Sequence, residues 1–293
     1  MRYSFYRIAS FALDIAYILS PEYKLPARSK LLCDYLRMRL KAFVNRWMHF
    51  KTEHFLGFTV SFVEYHLFFE TFRQVFVRQS YYFEPGTDSP TIIDCGGNAG
   101  MSVLYFKHMF PSCKIRVFEP SAEVRPILEQ NISKNSLKDV EIEPYAVSNK
   151  DGKVSFYNRG PGSYGSTIVE SVFDVTIQKG ESTKENAETV TTKRLSPYVQ
   201  GPIDLLKLDI EGAEEMVLRE LREAGVLGKI KTCVLEYHYS LGTSDNKLGD
   251  ILSTFERDGR EYQVYLDEFM PGASMMLEKA NSYYCLIRST VKK

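Results

Sequence analysis

Thr91-Ile92-Ile93-Asp94-Cys95-Gly96-Gly97-Asn98-Ala99-Gly100 sets a short apolar run directly before an acidic residue and three glycines, and an amphipathic stretch from Met101 to Met109 follows at once. A strand, a glycine-rich turn and a helix N-terminus, in that order, form the nucleotide-binding corner of a doubly wound α/β sheet. Glycine permits close approach of a ligand to the backbone and tolerates positive φ. The spacing narrows the ligand. A dinucleotide fingerprint needs G-x-G-x-x-G, and Asn98 and Ala99 stand where its next glycine would fall. What remains is D-x-G-x-x-x-G, carried by Asp94, Gly96 and Gly100. That pattern suits a cofactor without pyrophosphate whose cationic groups can meet a carboxylate, and S-adenosylmethionine, with its ammonium and sulfonium, has that chemistry.

Outward from this stretch, strands and helices alternate. Ile92–Cys95 reads as the first strand and Ile115–Phe118 as the second, ending at Glu119-Pro120, with Ser121 capping a helix that runs to about Asn135. Val140–Glu143 is the third, and a turn at Asp151-Gly152 leads into Val154–Tyr157. Ile203–Asp209 reads as a buried strand followed by a helix over Glu214–Leu221. Thr232–Tyr237, a helix over Leu248–Arg257, and strands at Tyr262–Leu266 and Tyr283–Ile287 complete the series. Alternation of this kind predicts a mostly parallel sheet covered by helices on both faces, with the ligand at the carboxyl ends of its strands. Residues 158–189, rich in Gly, Ser, Thr and charge, are too long for a plain connector and are expected to cover the site.

The first 85 residues differ in character. The chain as a whole is neutral, yet residues 1–80 carry twelve Lys/Arg against six Asp/Glu and the remainder is correspondingly acidic. Helical spacing over Leu31, Leu32, Tyr35, Leu36, Leu40, Phe43, Val44 and Trp47, with Arg37, Arg39, Lys41 and Arg46 mostly off that stripe, predicts an amphipathic helix. Two readings are open: a basic face meeting an anionic surface in peripheral contact with a membrane, or a solvated face on a helix that caps the main domain. The domain division expected is a helical cap over 1–85 and a cofactor-binding domain over 86–293. The five cysteines are odd in number and form no C-x-x-C, which reads as free thiols in a reducing compartment. No stretch reaches the roughly 18–20 apolar residues of a membrane span, so a cytoplasmic protein is expected. Nothing in the sequence decides between a monomer and a homodimer.

Four strand ends should converge on one sheet edge. The first brings Asp94 and the glycine loop. The second brings Glu119, 25 residues on, where a carboxylate accepts both ribose hydroxyls; taken alone it would serve equally as a carboxylate complementing a helix dipole. The third leads to Tyr145-Ala146-Val147, beside an adenine ring. The fourth ends in Asp209-Ile210-Glu211, and Glu236 and His238 end its expected neighbour. Alternate residues of a strand share a face, so Asp209, Glu211, Glu236 and His238 should gather. His238 is the expected general base, since its ordinary pKa lies nearest neutrality, with Asp209 and Glu211 arranging the acceptor. Three carboxylates and a histidine are also a donor set for Mg²⁺, although no dedicated metal site is expected. Lys207 is expected to point away from Asp209.

These motifs resemble the FkbM-like family of S-adenosylmethionine-dependent methyltransferases. The matching residues are Asp94 to Gly100, Phe118-Glu119-Pro120, Ala146-Val147-Ser148, Asp151 to Tyr157, Leu205 to Glu214 and Val234 to His238, within a resemblance covering roughly residues 60–265. It implies a class I methyltransferase fold with a last antiparallel strand inserted in the sheet, and methyl transfer to a hydroxyl of a sugar, lipid-linked glycan or polyketide. It also implies that Glu70 and Tyr81 lie near the cofactor, together with Gly97, Asn98, Pro120, Ala146 and Val147. Gly97 departs from the family, which commonly has alanine there. The expected partner is therefore a small-molecule or glycan methyl acceptor. The rival expectation is action on nucleic acid through the basic first segment; overall neutrality and the absence of a base-flipping signature argue against it.

Overall fold

The computed structural model describes residues 2–157, 166–169, 187–240, 247–265 and 282–291. The N-terminal region holds α1 (Arg2–Leu19), α2 (Arg28–Met48), a hairpin of β1 (Thr52–Phe55) and β2 (Phe58–Ser61), and α3 (Tyr65–Phe72). The main domain follows with β3 (Thr91–Cys95), α4 (Met101–Met109), β4 (Lys114–Phe118), α5 (Arg125–Lys134), β5 (Val140–Glu143), β6 (Ala146–Ser148), β7 (Gly152–Phe156) and β8 (Glu188–Arg194). It ends with β9 (Ile203–Leu208), α6 (Glu214–Glu223), β10 (Ile230–Ser240), α7 (Leu248–Arg257), β11 (Arg260–Tyr265) and β12 (Ser282–Val291).

Seven strands form one sheet in the order β11-β12-β10-β9-β3-β4-β5. The run β10-β9-β3-β4-β5 is parallel, and β12 lies antiparallel between β10 and β11. From β3 the chain builds outward through β4 and β5, then returns to build the other way from β9. The reversal opens a crevice at the carboxyl ends of β3 and β9, where such sheets take their ligands. Every residue of β9 is buried, and four of its six are apolar, as a strand covered on both faces favours; the other two, Asp204 and Lys207, are charged. β10 extends beyond the expected Tyr237 because β12 pairs along it as far as Ser240, so Glu236 and His238 are strand residues held by a ladder. A second sheet, β6-β8-β7, stands apart from the first. The expected covering loop over 158–189 lies for the most part outside the described residues.

The mainly helical first region also holds a short hairpin. Thr52 to Ser61 fold into a two-stranded hairpin whose turn, Leu56-Gly57, has positive φ at both positions, as the tightest hairpin turns require. Its outer edge is satisfied from α5. Asn131 accepts from the Ser61 amide at 2.7 Å and donates to the Ser61 carbonyl at 2.9 Å, and Asn135 does the same for Thr59 at 2.8 and 2.9 Å. Two asparagines one helical turn apart thus occupy a strand edge that would otherwise invite pairing.

The expected apolar stripe of α2 divides between two faces. Leu31 and Tyr35 turn inward with Met38, whereas Leu40, Phe43 and Trp47 are 67, 68 and 65% exposed. Inside, the N-terminal region and the main domain share one core: Phe55 meets Phe72 and Phe76 edge-on with centroids 5.0 Å apart, and Phe76 meets Tyr105 of α4 at 5.5 Å. Asp14 of α1 also receives the buried Arg73 at 2.7 Å. Removing residues 1–60 is therefore expected to expose this aromatic cluster and strand the Arg73 charge, giving an aggregating protein. Size-exclusion chromatography of the truncated chain checks this, and a soluble monomer would show the region to be an appendage.

Candidate functional site

The crevice is a cavity of about 490 Å³ bounded by the carboxyl ends of β3, β4, β9 and β10, by β6, and by α3 with the segment after it. Of the residues expected there, Glu70, Tyr81, Gly96, Gly97, Asn98, Glu119, Pro120, Ala146, Val147, Asp209, Glu211 and His238 line it. Asp94 and Gly100 do not. Asp94 is fully buried beneath the loop, where it accepts a hydrogen bond from the Ser102 hydroxyl at 2.5 Å. Gly100 sits with φ near 90° at the start of α4.

Gly96 is required for a reason internal to the fold. It has φ near 89°, and a Cβ on it would lie 1.9 Å from the backbone oxygen of Asp209. The close approach is thus between the glycine loop and the end of β9, which also bond through the Asp209 amide and the Cys95 carbonyl at 3.1 Å. At Gly97 the space for a methyl group is taken by Val117, whose Cγ2 would be 2.2 Å away. The Val117 side chain thus occupies the space that alanine would need at this position.

Glu119 is fixed by two backbone amides, accepting from Asn98 at 2.8 Å and from Ser121 at 2.9 Å. Burial raises its pKa, with those two amides opposing the rise. Its carboxyl group is therefore oriented before any ligand arrives, at the edge of a cavity whose wall there includes Ala146, Val147 and Phe156.

Across the cavity, acidic groups crowd around two cations. Lys207, 1% exposed, stands 3.0 Å from Asp94 and 3.5 Å from Asp209 and donates to the Gly96 carbonyl at 2.9 Å. Its ammonium lies 5.0 Å from the centre of the Tyr81 ring. Burial works to lower its pKa, but Asp94 and Asp209 outweigh burial and raise it, so the ammonium stays charged. Tyr81 donates to Asp209 at 3.0 Å and to Glu236 at 3.3 Å, and Gln74 donates to Glu236 at 2.7 Å. His238 has Glu211 at 3.4 Å, Glu214 at 3.5 Å and Glu236 at 3.9 Å.

Two expectations change here. Lys207 does not point away from Asp209; residues two apart on an extended chain share a face, and the two side chains meet at 3.5 Å beside Tyr81. The near-neutral pKa expected of His238 is also not what its surroundings impose. Burial alone would lower it, but Glu211 and Glu214, with Glu236, hold it well above the ordinary value, so the resting ring is an imidazolium. Near neutrality the titrating group is instead Glu236. Burial first, and then the charges of Asp209 and Glu211, push its carboxyl up to about 8 against the opposing pull of His238.

Asp209, Glu211 and His238 present ligand atoms within 4.8 Å of one another, close enough to share a cation. The Lys207 ammonium and the His238 imidazolium already supply countercharge to these carboxylates. Gln74 and Glu214 also belong to the cluster, without a sequence pattern that assigns either a role at the site. Gln74 is 162 positions from its partner Glu236. Glu214 gave a local signal: its carboxylate folds back on the Gly212 amide at 3.0 Å, a first-turn acid closing the turn before its own helix.

Sheet order, reversed β12 and the acid-lined crevice together define a class I methyltransferase fold. The family model described as Methyltransferase FkbM domain matches residues 94–262. The chain belongs to the FkbM methyltransferase family. It is 31% identical over 163 residues to Methyltransferase 1 of Beauveria bassiana, covering 51% of this chain and 65% of that protein. It is 29% identical over 178 residues to Methyltransferase sdnD of Sordaria araneosa, covering 52% of this chain and 68% of that protein. The chain thus spans about two thirds of the length of these fungal relatives. A solved structure, the methyltransferase FkbM from Methylobacillus flagellatus, superposes with a TM-score of 0.48 at 13% identity, covering 96% of this chain and 58% of that one.

Proposed function

We propose that the protein transfers a methyl group from S-adenosylmethionine to a hydroxyl oxygen of a sugar, a glycan or another small natural-product acceptor. The observation that carries this reading is a single cavity lined at separate strands by two kinds of chemistry. Glu119 ends β4, whereas Glu236 and His238 belong to β10, three strand spacings and so about 14 Å across the sheet. The residues fit the cofactor. Glu119, already held in place by two amides, accepts ribose hydroxyls, the Ala146-Val147-Phe156 wall takes a flat apolar ring, and Asp209 and Glu211 favour cationic groups. Bound there, S-adenosylmethionine supplies an electrophilic methyl group.

What remains for the chain's own residues is placement and proton transfer. In-line displacement depends mostly on how the acceptor is held, a task for Asp209, Glu211 and the His238 imidazolium. Proton removal falls to Glu236, whose pKa of about 8 lies closest to working pH among the cavity's carboxyl groups with a resolved shift. Glu119→Ala is expected to weaken S-adenosylhomocysteine binding by about 1.5–3 kcal/mol, the range for hydrogen bonds to a charged group. Isothermal calorimetry measures it, and unchanged affinity would remove Glu119 from the ribose. A screen of sugars, glycans and phenols with methyl-labelled cofactor, with oligonucleotides alongside, tests the acceptor. Label transferred to nucleic acid alone would sink the hydroxyl-acceptor reading.

A further inference from the structure

α2 carries Leu36, Leu40, Phe43 and Trp47 at spacings of four, three and four residues, and all four are exposed. Such spacing keeps one stripe on one face along the helix. Between α1 and α2 the stripe opens into a crease of about 380 Å³ lined by Phe11, Leu36, Arg39, Leu40 and Phe43. Single exposed apolar residues need no explanation, but a contiguous stripe of leucines and aromatics does. Charge narrows what can cover it. The helix has six Lys/Arg and one acidic residue, Asp34. By helical angle, Lys30 and Arg37 flank the stripe on one side and Arg28 and Arg39 on the other. Asp34 is shared with Arg37, and the fully buried Glu53 with Arg37 and Lys41, so the helix keeps a positive surplus. A second copy would bring the same surplus against it. An apolar stripe with Trp and Phe between two basic borders is complementary to the headgroups and upper acyl region of an anionic bilayer. No helix among the described residues is long and apolar enough to cross a membrane.

We propose that the outer face of α2 docks the protein on an anionic lipid surface, lying in the interface. The inference is independent of the methyl-transfer reading, and its test needs neither cofactor nor acceptor. Trp47 is the chain's sole tryptophan, so intrinsic emission reports directly on the stripe. With the full chain and vesicles of phosphatidylcholine containing about 30% phosphatidylserine, Trp47 emission should shift to the blue and be quenched by brominated acyl chains. Co-sedimentation should favour these vesicles over pure phosphatidylcholine by about tenfold or more and weaken with added salt. Leu40→Glu with Phe43→Glu should lower vesicle affinity by about 30-fold or more while far-ultraviolet circular dichroism stays unchanged, since both side chains face outward. Unchanged Trp47 emission on anionic vesicles overturns the proposal. So does vesicle binding that the double variant leaves intact, self-association that this variant abolishes in the absence of lipid, or binding to an oligonucleotide with vesicles ignored.

Discussion

Lys207→Met is expected to cost about 3–5 kcal/mol of folding stability, the range for removing one partner of a buried ion pair. Methionine nearly matches lysine in length, so packing changes little and charge changes most. Asp94, with no exposed surface, has the Lys207 ammonium 3.0 Å away and the Ser102 hydroxyl as its other partner. Without the ammonium it becomes an uncompensated buried carboxylate, and the Gly96 carbonyl loses its donor. Against a typical total of about 5–15 kcal/mol such a loss is large. The ammonium itself does not titrate between about pH 6 and 9. A lysine whose folded pKa exceeds its ordinary 10.5 contributes stability that is fully present below that value and lost only at still higher pH. Urea unfolding measures the change. Adding Asp94→Asn to Lys207→Met should recover part of the loss, because the orphaned charge is gone. A midpoint within error of the parent would show that the pair contributes nothing to stability.

This pair also marks where sequence reasoning is strong and where it fails. The β3–α4 corner was legible because an apolar run, a cluster of glycines and an amphipathic stretch follow one another without interruption. β9 was legible because a strand buried on both faces needs apolar residues throughout. Asp204 and Lys207 interrupt that run, and Lys207 is stable there because Asp94, more than a hundred residues earlier, reaches the same face, with Asp209 and the Gly96 carbonyl beside it. The hairpin was hidden for a similar reason. Glu53 points inward, where alternation demands an apolar residue, and its charge is met by Arg37 and Lys41 from α2 and by the Tyr65 hydroxyl. The α2 stripe reads as one face in the sequence, since spacing shows which residues align but not which side finds a partner. At the site, Asp209, Glu211, Glu236 and His238 were placed together by strand parity alone. The charge state of His238 could not be, because it depends on Glu214 folding back from α6 and on how deeply the cluster is buried.

Glu236→Gln should therefore have the larger effect on turnover. Glutamine keeps the shape and can still accept from Gln74 and Tyr81, so the cavity wall is preserved. It cannot take a proton. Positioned bases contribute about 10²–10⁴-fold, so kcat should fall by that order while S-adenosylhomocysteine affinity changes little. With its pKa pushed up to about 8, Glu236 is mostly protonated at neutral pH. The active form is the carboxylate, so kcat/KM should rise about tenfold between pH 7 and 9 and then level, and the variant should lose this rise. Stability runs the other way. A carboxyl whose folded pKa exceeds its unfolded value of about 4.5 stabilises the fold fully below that value, and the contribution is lost as pH rises through about 8. A measurement free of any acceptor checks the assignment. Infrared difference spectra of the parent should show a protonated carboxyl band that disappears near pH 8 and is missing from Glu236→Gln. His238→Ala should move that transition to higher pH, since the imidazolium is the first charge opposing the rise. A band that persists in Glu236→Gln, or a transition that His238→Ala leaves in place, would assign the proton to another member of the cluster.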